Sequence, residues 1–285
     1  MESYIILDKN LAQVIAIIKR IVQLHSIYLI GSSEMNIPNK YILDSKMTNI
    51  EKHEFTYSLV LITHDFIADP KTFMNDVFNK TGEKCRIFSI HYTLNDTKYR
   101  LRHGDNFLSR ILSSENEVYC SEHLLCCGYS YHPKMYAKIK KEWEFRMNRA
   151  YYFEDKVSIC DDVYDETSRM LLISQSLQQA CAALLNIFWE YKPCQYDLNH
   201  LLNLCLNFSK SPEILFPKIS FRSHRVFNAI CHAQYNVNFK SVDDVSHEDS
   251  NYAHQLCRRF LDKADKEGKK KLQELESLHR KFEVQ

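Results

Sequence analysis

The chain has 285 residues, a length that suits one large domain or two domains of ordinary size. Its 37 Lys and Arg residues against 36 Asp and Glu give a net charge of +1, so no overall positive field attracts nucleic acid or an acidic membrane. The hydrophobic share of 45% and the charged share of 26% are typical of a folded globular protein and exclude a disordered chain or a fibre.

The first residues and the cysteines both predict a cytoplasmic protein. The starting segment MESYIILDKN has no basic stretch before its apolar residues, and no later apolar run approaches the roughly 20 residues of a membrane span. Most of the ten cysteines fall inside apolar helical patterns, as in LLNLCLNF, which indicates reduced thiols in a core. We expect no membrane contact and a cytoplasmic location.

Residues 1–126 are predicted to form a small mixed α/β domain. The helical spacing of apolar side chains predicts a first helix that contains Leu11, Val14, Ile15, Ile18 and Val22. Three β-type runs follow: SIYLIGSS (26–33), FTYSLVLI (55–62) and RIFSIHYTL (86–94). The segment DPKTFMNDVFNK predicts a helix between the last two runs, and NFLSRILSS and VYC predict a further helix and a short strand.

A cluster of zinc-capable side chains lies where this domain ends. It comprises Cys120, His123, Cys126, Cys127 and His132. The spacing C-x2-H-x2-C-C is not a common zinc-finger spacing, and no second knuckle follows it. The pattern favours a turn between two domains over a zinc site, so we predict no metal and no cofactor.

Residues 133–285 are predicted to be entirely helical. Residues 134–162 have the pattern of one long helix, and Asp197 is predicted to stabilise the N-terminus of a later helix through the helix dipole. The other predicted helices are SQSLQQACAALLNIFWEYK, YDLNHLLNLCLNF, RVFNAICH with AQYNVNF, HEDSNYAHQLCRRFLDKADK, and a solvated charged tail, KKKLQELESLHRKFE. The predicted fold class is therefore α+β, a small mixed-sheet domain followed by an all-α bundle.

The first predicted strand ends in Gly31, Ser32 and Ser33, which resemble the phosphate-binding Gly-Ser of polymerase-β-like nucleotidyltransferases. In that family the next strand supplies an Asp-x-Asp pair that binds two magnesium ions. Here the next strand begins with FTYS (55–58), and Glu54 alone cannot ligate two Mg²⁺ ions well. The resemblance implies a degenerate nucleotidyltransferase-like domain that binds a nucleotide at Gly31–Ser33 but transfers none. A tight strand-to-loop turn is the alternative reading.

The helical half resembles the HEPN domain (higher eukaryotes and prokaryotes nucleotide-binding). The resembling segments are QSLQQACAALLNIFWEYKPCQYDLNHLLNLC, RVFNAICHAQYNVNF and HQLCRRFLDKA, and the resemblance covers roughly residues 134–266. It implies a helical bundle that binds nucleotide or RNA and forms a homodimer through its helices. HEPN domains are often encoded beside, or fused to, minimal nucleotidyltransferases, and the resemblance implies a toxin-antitoxin or defence context if the domain cleaves RNA.

Arg225 and His232 match the loosest form of the R-x(4–6)-H motif of HEPN ribonucleases. In that metal-independent motif the His transfers a proton and the Arg neutralises charge on the reacting phosphate. Active members usually carry a polar residue after the Arg, whereas Val226 and Phe227 follow here, and the apolar interval is typical of a core-facing helix. This favours binding without cleavage. RNA cleavage by Arg225 and His232 is the alternative, and a protein-interaction scaffold is a further one.

Overall fold

The computed structural model divides the chain into two compact units, Met1–His132 and Pro133–Gln285. The first unit carries a four-stranded sheet, and the second is helical, so the predicted α+β class is confirmed at this level. The residues that the structure describes are 8–39, 50–122, 136–159, 165–217, 220–239 and 245–283.

The N-terminal unit is a mixed sheet with helices between its strands. Strand β1 runs antiparallel to β2 and β4, and β2 runs parallel to β3, which gives the order β3-β2-β1-β4. The elements, in chain order, are α1 (Lys9–Ile21), β1 (Leu24–Asn39), β2 (Ile50–Thr63), α2 (Pro70–Lys80), β3 (Cys85–Thr93), α3 (Leu94–Arg102), α4 (Asn106–Ile111) and β4 (Glu117–Cys120).

The core of this unit lies between the sheet and the apolar faces of α1 and α2. Val14 and Ile18 of α1, Leu61 of β2 and Val77 of α2 belong to one buried cluster. The predicted periodicity of α1 is confirmed, because the residues at helical spacing are the buried ones.

The N-cap of α1, Asp8, also accepts a hydrogen bond of 2.6 Å from the hydroxyl of Tyr57, and this bond lowers the pKa of the Asp8 carboxyl.

The C-terminal unit is a helical bundle. Its elements in chain order are α5 (Tyr136–Val157), α6 (Glu166–Trp189), α7 (Leu198–Cys205), α8 (Ser211–Leu215), α9 (Phe221–Cys231), α10 (Ala233–Phe239) and α11 (His247–Glu283). Asp197 is the N-cap of α7 and accepts a hydrogen bond from the backbone N–H of His200 at 3.0 Å, which confirms its predicted position.

Helix α6 is the central helix of the bundle. It packs against α5, α7, α9, α10 and α11. By length and composition α6 could cross a membrane, but 72% of its apolar window is buried within the protein, which is typical of the core helix of a bundle.

Two boundaries differ from the prediction. The helix predicted for HEDSNYAHQLCRRFLDKADK and the predicted charged tail form one continuous helix, α11. Leu272 and Leu275 extend its buried face into the charged segment. The helix predicted for RVFNAICH with AQYNVNF is divided at His232, the C-cap of α9, whose backbone dihedral angles are φ −102° and ψ 14°. Helix α10 begins at the next residue.

Candidate functional site

Helix α9 presents its two candidate catalytic residues to solvent. Val226, Phe227 and Ile230 are buried against the bundle. Arg225 and His232 lie on the opposite side of the helix and are exposed. The apolar interval between them therefore faces the core while the two polar side chains face outward, as the helical repeat requires.

Arg225 and His232 line the same surface groove. The groove has a volume of about 490 Å³ and lies along α9 and α10. Its lining includes Phe221, His224, Arg225, Asn228, His232 and Tyr235. The structure thus brings together the two residues that the sequence pattern singles out.

A buried carboxylate at the start of α11 holds the guanidinium of Arg225. The Arg225 Nε donates to Oδ2 of Asp249 at 2.7 Å, and the guanidinium carbon lies 5.7 Å from the centre of the Phe221 ring. The hydrogen bond to Asp249 raises the pKa of Arg225. Burial alone would raise the pKa of Asp249, but hydrogen bonds and charge from Arg225 and Arg222 lower it below its ordinary value. The pair is therefore ionised at neutral pH.

The imidazole of His232 is oriented by its own helix. Its Nδ1 lies 2.9 Å from the carbonyl oxygen of Asn228, one turn earlier. A carbonyl oxygen only accepts, so Nδ1 carries a proton and donates it to this bond. In the neutral ring, Nε2 then has a lone pair that can take up a proton from a ligand in the groove.

Exposed aromatic rings surround the two polar residues. Phe221 is 81% exposed and Tyr235 is 56% exposed, and both line the groove. Phe239, 73% exposed, lies beside Tyr235 with ring centres 5.0 Å apart. Large exposed rings next to cationic side chains are typical of surfaces that stack unpaired bases or contact another protein.

The Gly-Ser segment of the N-terminal unit has a different geometry from the predicted one. The prediction that the strand ends at Ser33 is wrong, because β1 continues to Asn39. Gly31, Ser32 and Ser33 pair with Ser58, Tyr57 and Thr56 of β2, after a register irregularity between Leu29 and Gly31. These residues therefore belong to a hydrogen-bonded ladder and do not form a strand-to-loop turn that could enclose a phosphate.

The acid beside the predicted magnesium position has a protein partner. Glu54 accepts a hydrogen bond from Arg86 Nε at 2.7 Å. Within the described ranges, no three His, Cys, Asp or Glu side chains lie together as a metal-binding group. Of the predicted zinc-capable cluster, only Cys120 lies inside the described residues, whereas His123, Cys126, Cys127 and His132 lie outside them.

Sequence reasoning missed the residue that holds Arg225. Asp249 is 24 positions away in the chain, and the segment HEDSNYAH suggests only a helix start with acidic residues in its first turn. Phe221 and Tyr235 were also missed, because an aromatic residue in an amphipathic helix is expected in the core. Their exposure is visible only once the bundle is assembled.

In comparisons of sequence, no family model matches the chain, and no curated protein is significantly similar to it.

Proposed function

We propose that the helical unit binds RNA in the groove that Arg225 and His232 line, and that the N-terminal unit does not transfer nucleotides. The observation that carries this proposal is that both side chains open into one groove bordered by exposed aromatic rings. The resemblance of the helical half to HEPN domains supports the same ligand class.

The groove offers complementary contacts to both parts of a nucleotide. A guanidinium matches the geometry of phosphate oxygens with two parallel N–H donors. Aromatic faces such as those of Phe221 and Tyr235 stack on bases that are not paired, and each such stack contributes about 1–3 kcal/mol. RNA recognition commonly combines these two contacts in single-stranded segments.

The positive charge at the groove is local, which suits a chain whose net charge is only +1. Arg222 and Arg225 share the single carboxylate of Asp249, so this group of three side chains has one positive charge in excess. His224 adds a further titratable side chain to the lining. A short basic site of this kind binds an anion without a basic surface over the whole domain.

We assign the RNA contact to the helical unit and none to Gly31–Ser33. The pairing of these residues with β2 leaves no open turn for a phosphate, and Glu54 is engaged by Arg86. Two-metal nucleotidyl transfer needs several carboxylate oxygens around each Mg²⁺. The N-terminal unit therefore lacks the side chains for that chemistry at the predicted position.

Metal-independent RNA cleavage is the second candidate function, and the orientation of His232 favours it. Nε2 would accept the proton of a 2′-hydroxyl while O2′ forms a bond to phosphorus and the bond from phosphorus to O5′ breaks. The leaving O5′ takes a proton from a second group, such as an imidazolium from another copy of the chain. Arg225 and His232 are seven residues apart, a rise of about 10 Å along a helix, and each side chain already has a hydrogen-bond partner within the protein, Asp249 and Asn228. Binding is therefore placed first.

RNA binding is tested by fluorescence anisotropy with a labelled single-stranded oligouridine at low salt. Arg225→Ala should weaken binding about tenfold, because the variant cannot form a charge-assisted hydrogen bond to phosphate. Arg258→Ala is the matched control, since Arg258 is also exposed and also held by a buried carboxylate, Glu154, at 2.7 Å. Absence of binding by the wild-type protein, or equal reductions of affinity in the two variants, would contradict the proposal.

A further inference from the structure

Asp249 lies in the first turn of α11 and holds two arginines of α9 at once. Its Oδ1 accepts from Arg222 Nε at 3.2 Å and its Oδ2 accepts from Arg225 Nε at 2.7 Å. The Asp249 side chain is only 7% exposed, whereas Arg222 and Arg225 are 50% and 52% exposed. One buried acceptor thus fixes two partly exposed cations.

The backbone that carries this carboxylate is anchored at the start of α11. The backbone N–H of Asp249 donates to the carbonyl oxygen of Ser246 at 3.1 Å and lies 3.2 Å from the Ser246 hydroxyl oxygen. An acid in the first turn of a helix is also stabilised by the positive end of the helix dipole. The backbone position of Asp249 therefore does not depend on the arginines alone.

The two arginines differ in how their terminal nitrogens are used, because Nη2 of Arg222 donates to the carbonyl oxygen of Glu248 at 3.3 Å. Each uses Nε toward Asp249, and each guanidinium also lies over a ring, Arg225 over Phe221 at 5.7 Å and Arg222 over Tyr252 at 5.2 Å. Within the part of the chain that the structure describes, the terminal nitrogens of Arg225 form no hydrogen bond. Those N–H donors are left for a ligand in a fixed orientation.

Two opposite effects of Asp249 on RNA binding can be separated by experiment. Its negative charge cancels half of the positive charge of the two arginines, so by charge alone its removal would strengthen binding. Its hydrogen bonds restrict two long side chains that would otherwise lose rotamer freedom when they bind a phosphate. By this second effect, removal of Asp249 would weaken binding.

We propose that Asp249 is a positioning residue that presets Arg222 and Arg225 as a pair of donors for the phosphodiester backbone of single-stranded RNA. This inference rests on the proposed RNA-binding function of the groove. The single-stranded class follows from the exposed rings of Phe221 and Tyr235, which can stack only on bases that are not already paired. We expect the second effect to exceed the first, because water and salt screen the charges of the half-exposed arginines, whereas the entropic cost of ordering two long side chains is not screened.

The test is the RNA affinity of Asp249→Asn, measured with the same labelled oligouridine. The expected result is a reduction of about tenfold, together with a fall in the salt dependence of about 0.7 in log–log slope for each phosphate that the variant no longer neutralises. Glu154→Gln is the matched control, because it removes the same charge from another buried carboxylate that holds an exposed arginine. That variant should bind as the wild type does or slightly more tightly.

A double-variant comparison separates positioning from a general loss of structure. In an Arg222→Ala and Arg225→Ala background, Asp249→Asn should leave the affinity unchanged or raise it slightly through the lost negative charge, whereas structural damage would lower the affinity again. Arg225→Lys keeps the charge but not the planar fork, and it should weaken binding as Asp249→Asn does. The comparison of Asp249→Asn with and without the two arginines remains informative even where Asp249→Asn lowers the melting temperature.

The outcomes distinguish the two proposals. Unchanged or tighter binding by Asp249→Asn, with normal binding by the wild type, overturns the positioning role alone. Equal affinity for oligouridine and for the same strand annealed to its complement overturns the single-stranded class. No binding by the wild type overturns both the RNA-binding function and the positioning role of Asp249, which rests on it.

Discussion

At the scale of single residues, the groove is defined by how hydrogen bonds orient its polar side chains. A hydrogen bond to the carbonyl oxygen of Asn228 orients the His232 ring, and a hydrogen bond to Asp249 orients the Arg225 guanidinium. Neither orientation depends on a ligand. The site is therefore preorganised, which lowers the entropic cost of binding and places the His232 Nε2 where it can exchange a proton.

The ribonuclease alternative gives a residue-scale prediction for His232. If the protein cleaves RNA, the reaction should persist in EDTA and His232→Ala should lower its rate by a factor of about 10² to 10⁴, the usual contribution of a general acid or base. The measurement is cleavage of a labelled RNA followed by gel electrophoresis. His103→Ala is the control, because the exposed ring of His103 is likewise held by a carbonyl oxygen one turn earlier, that of Tyr99 at 2.8 Å, but lies in the N-terminal unit. Cleavage at an equal rate by His232→Ala and the wild type would contradict the role.

At the scale of elements, α11 depends on close packing against α5. Gly268 of α11 lies against Trp143, and a Cβ added at Gly268 would overlap the indole ring. Trp143 is almost fully buried, so its ring has little room to move. The glycine is therefore required by the approach of the two helices and not by its backbone angles.

Gly268→Ala should destabilise the protein despite the better helix propensity of alanine. Overpacking of a filled core costs typically 1–3 kcal/mol, and the propensity gain of about 1 kcal/mol offsets part of it. The net decrease in the free energy of unfolding should be up to about 2 kcal/mol, measured by urea denaturation. Lys270→Ala is the control, an exposed position two residues further along α11 that should change stability little. A more stable Gly268→Ala variant would show that Trp143 repacks freely.

The elements also show what the sequence could predict. Apolar periodicity located α1, α6 and α9, because burial of one face decides where such helices form. The helical repeat in the sequence also indicates that the side chains of Arg225 and His232 face away from the core. At about 100° per residue, both side chains point well away from Val226 and Ile230.

The features that the sequence did not predict depend on partners far away in the chain. β1 continues through Gly31–Ser33 because β2 pairs with it, and Gly-Ser after an apolar run is otherwise typical of a turn. The charged part of α11 is helical and half-buried because α5 and other helices cover one side of it. Asp249 meets Arg225 only after α9 and α11 have packed together. Tertiary pairing outweighed the local pattern in each case.

At the scale of the whole molecule, the two units differ in what they contribute. The N-terminal unit has a buried core between its sheet and helices, and its Glu54 accepts a hydrogen bond from Arg86. The helical unit has the groove with its exposed rings. The balanced net charge makes a specific local site necessary for any polyanion. Exposed rings such as Phe239 also suit a contact between two copies, which would bring two grooves close together.

We propose that the protein is a homodimer through its helical unit. Light scattering coupled to size-exclusion chromatography should give about twice the chain mass of 33.8 kDa. Phe239→Glu should shift the protein toward the monomer, because a charge would be buried in the contact. Phe66→Glu changes an equally exposed ring of the N-terminal unit and should leave the dimer intact. A wild-type protein that is monomeric at every concentration tested would refute the dimer.

The start of α11 also connects the groove to the deepest charged group of the bundle. Arg169 of α6 is only 1% exposed, and its guanidinium donates to Asn251 at 2.8 Å and to Glu166 at 3.0 Å. Glu166 in turn lies 2.6 Å from His247. This network joins the buried Arg169 and Glu166 to His247 and Asn251 in the turns of α11 on either side of Asp249. Opening of the turn that carries Asp249 would remove the carboxylate that holds Arg222 and Arg225, so the proposed RNA site would lose the orientation of both arginines in a single local event.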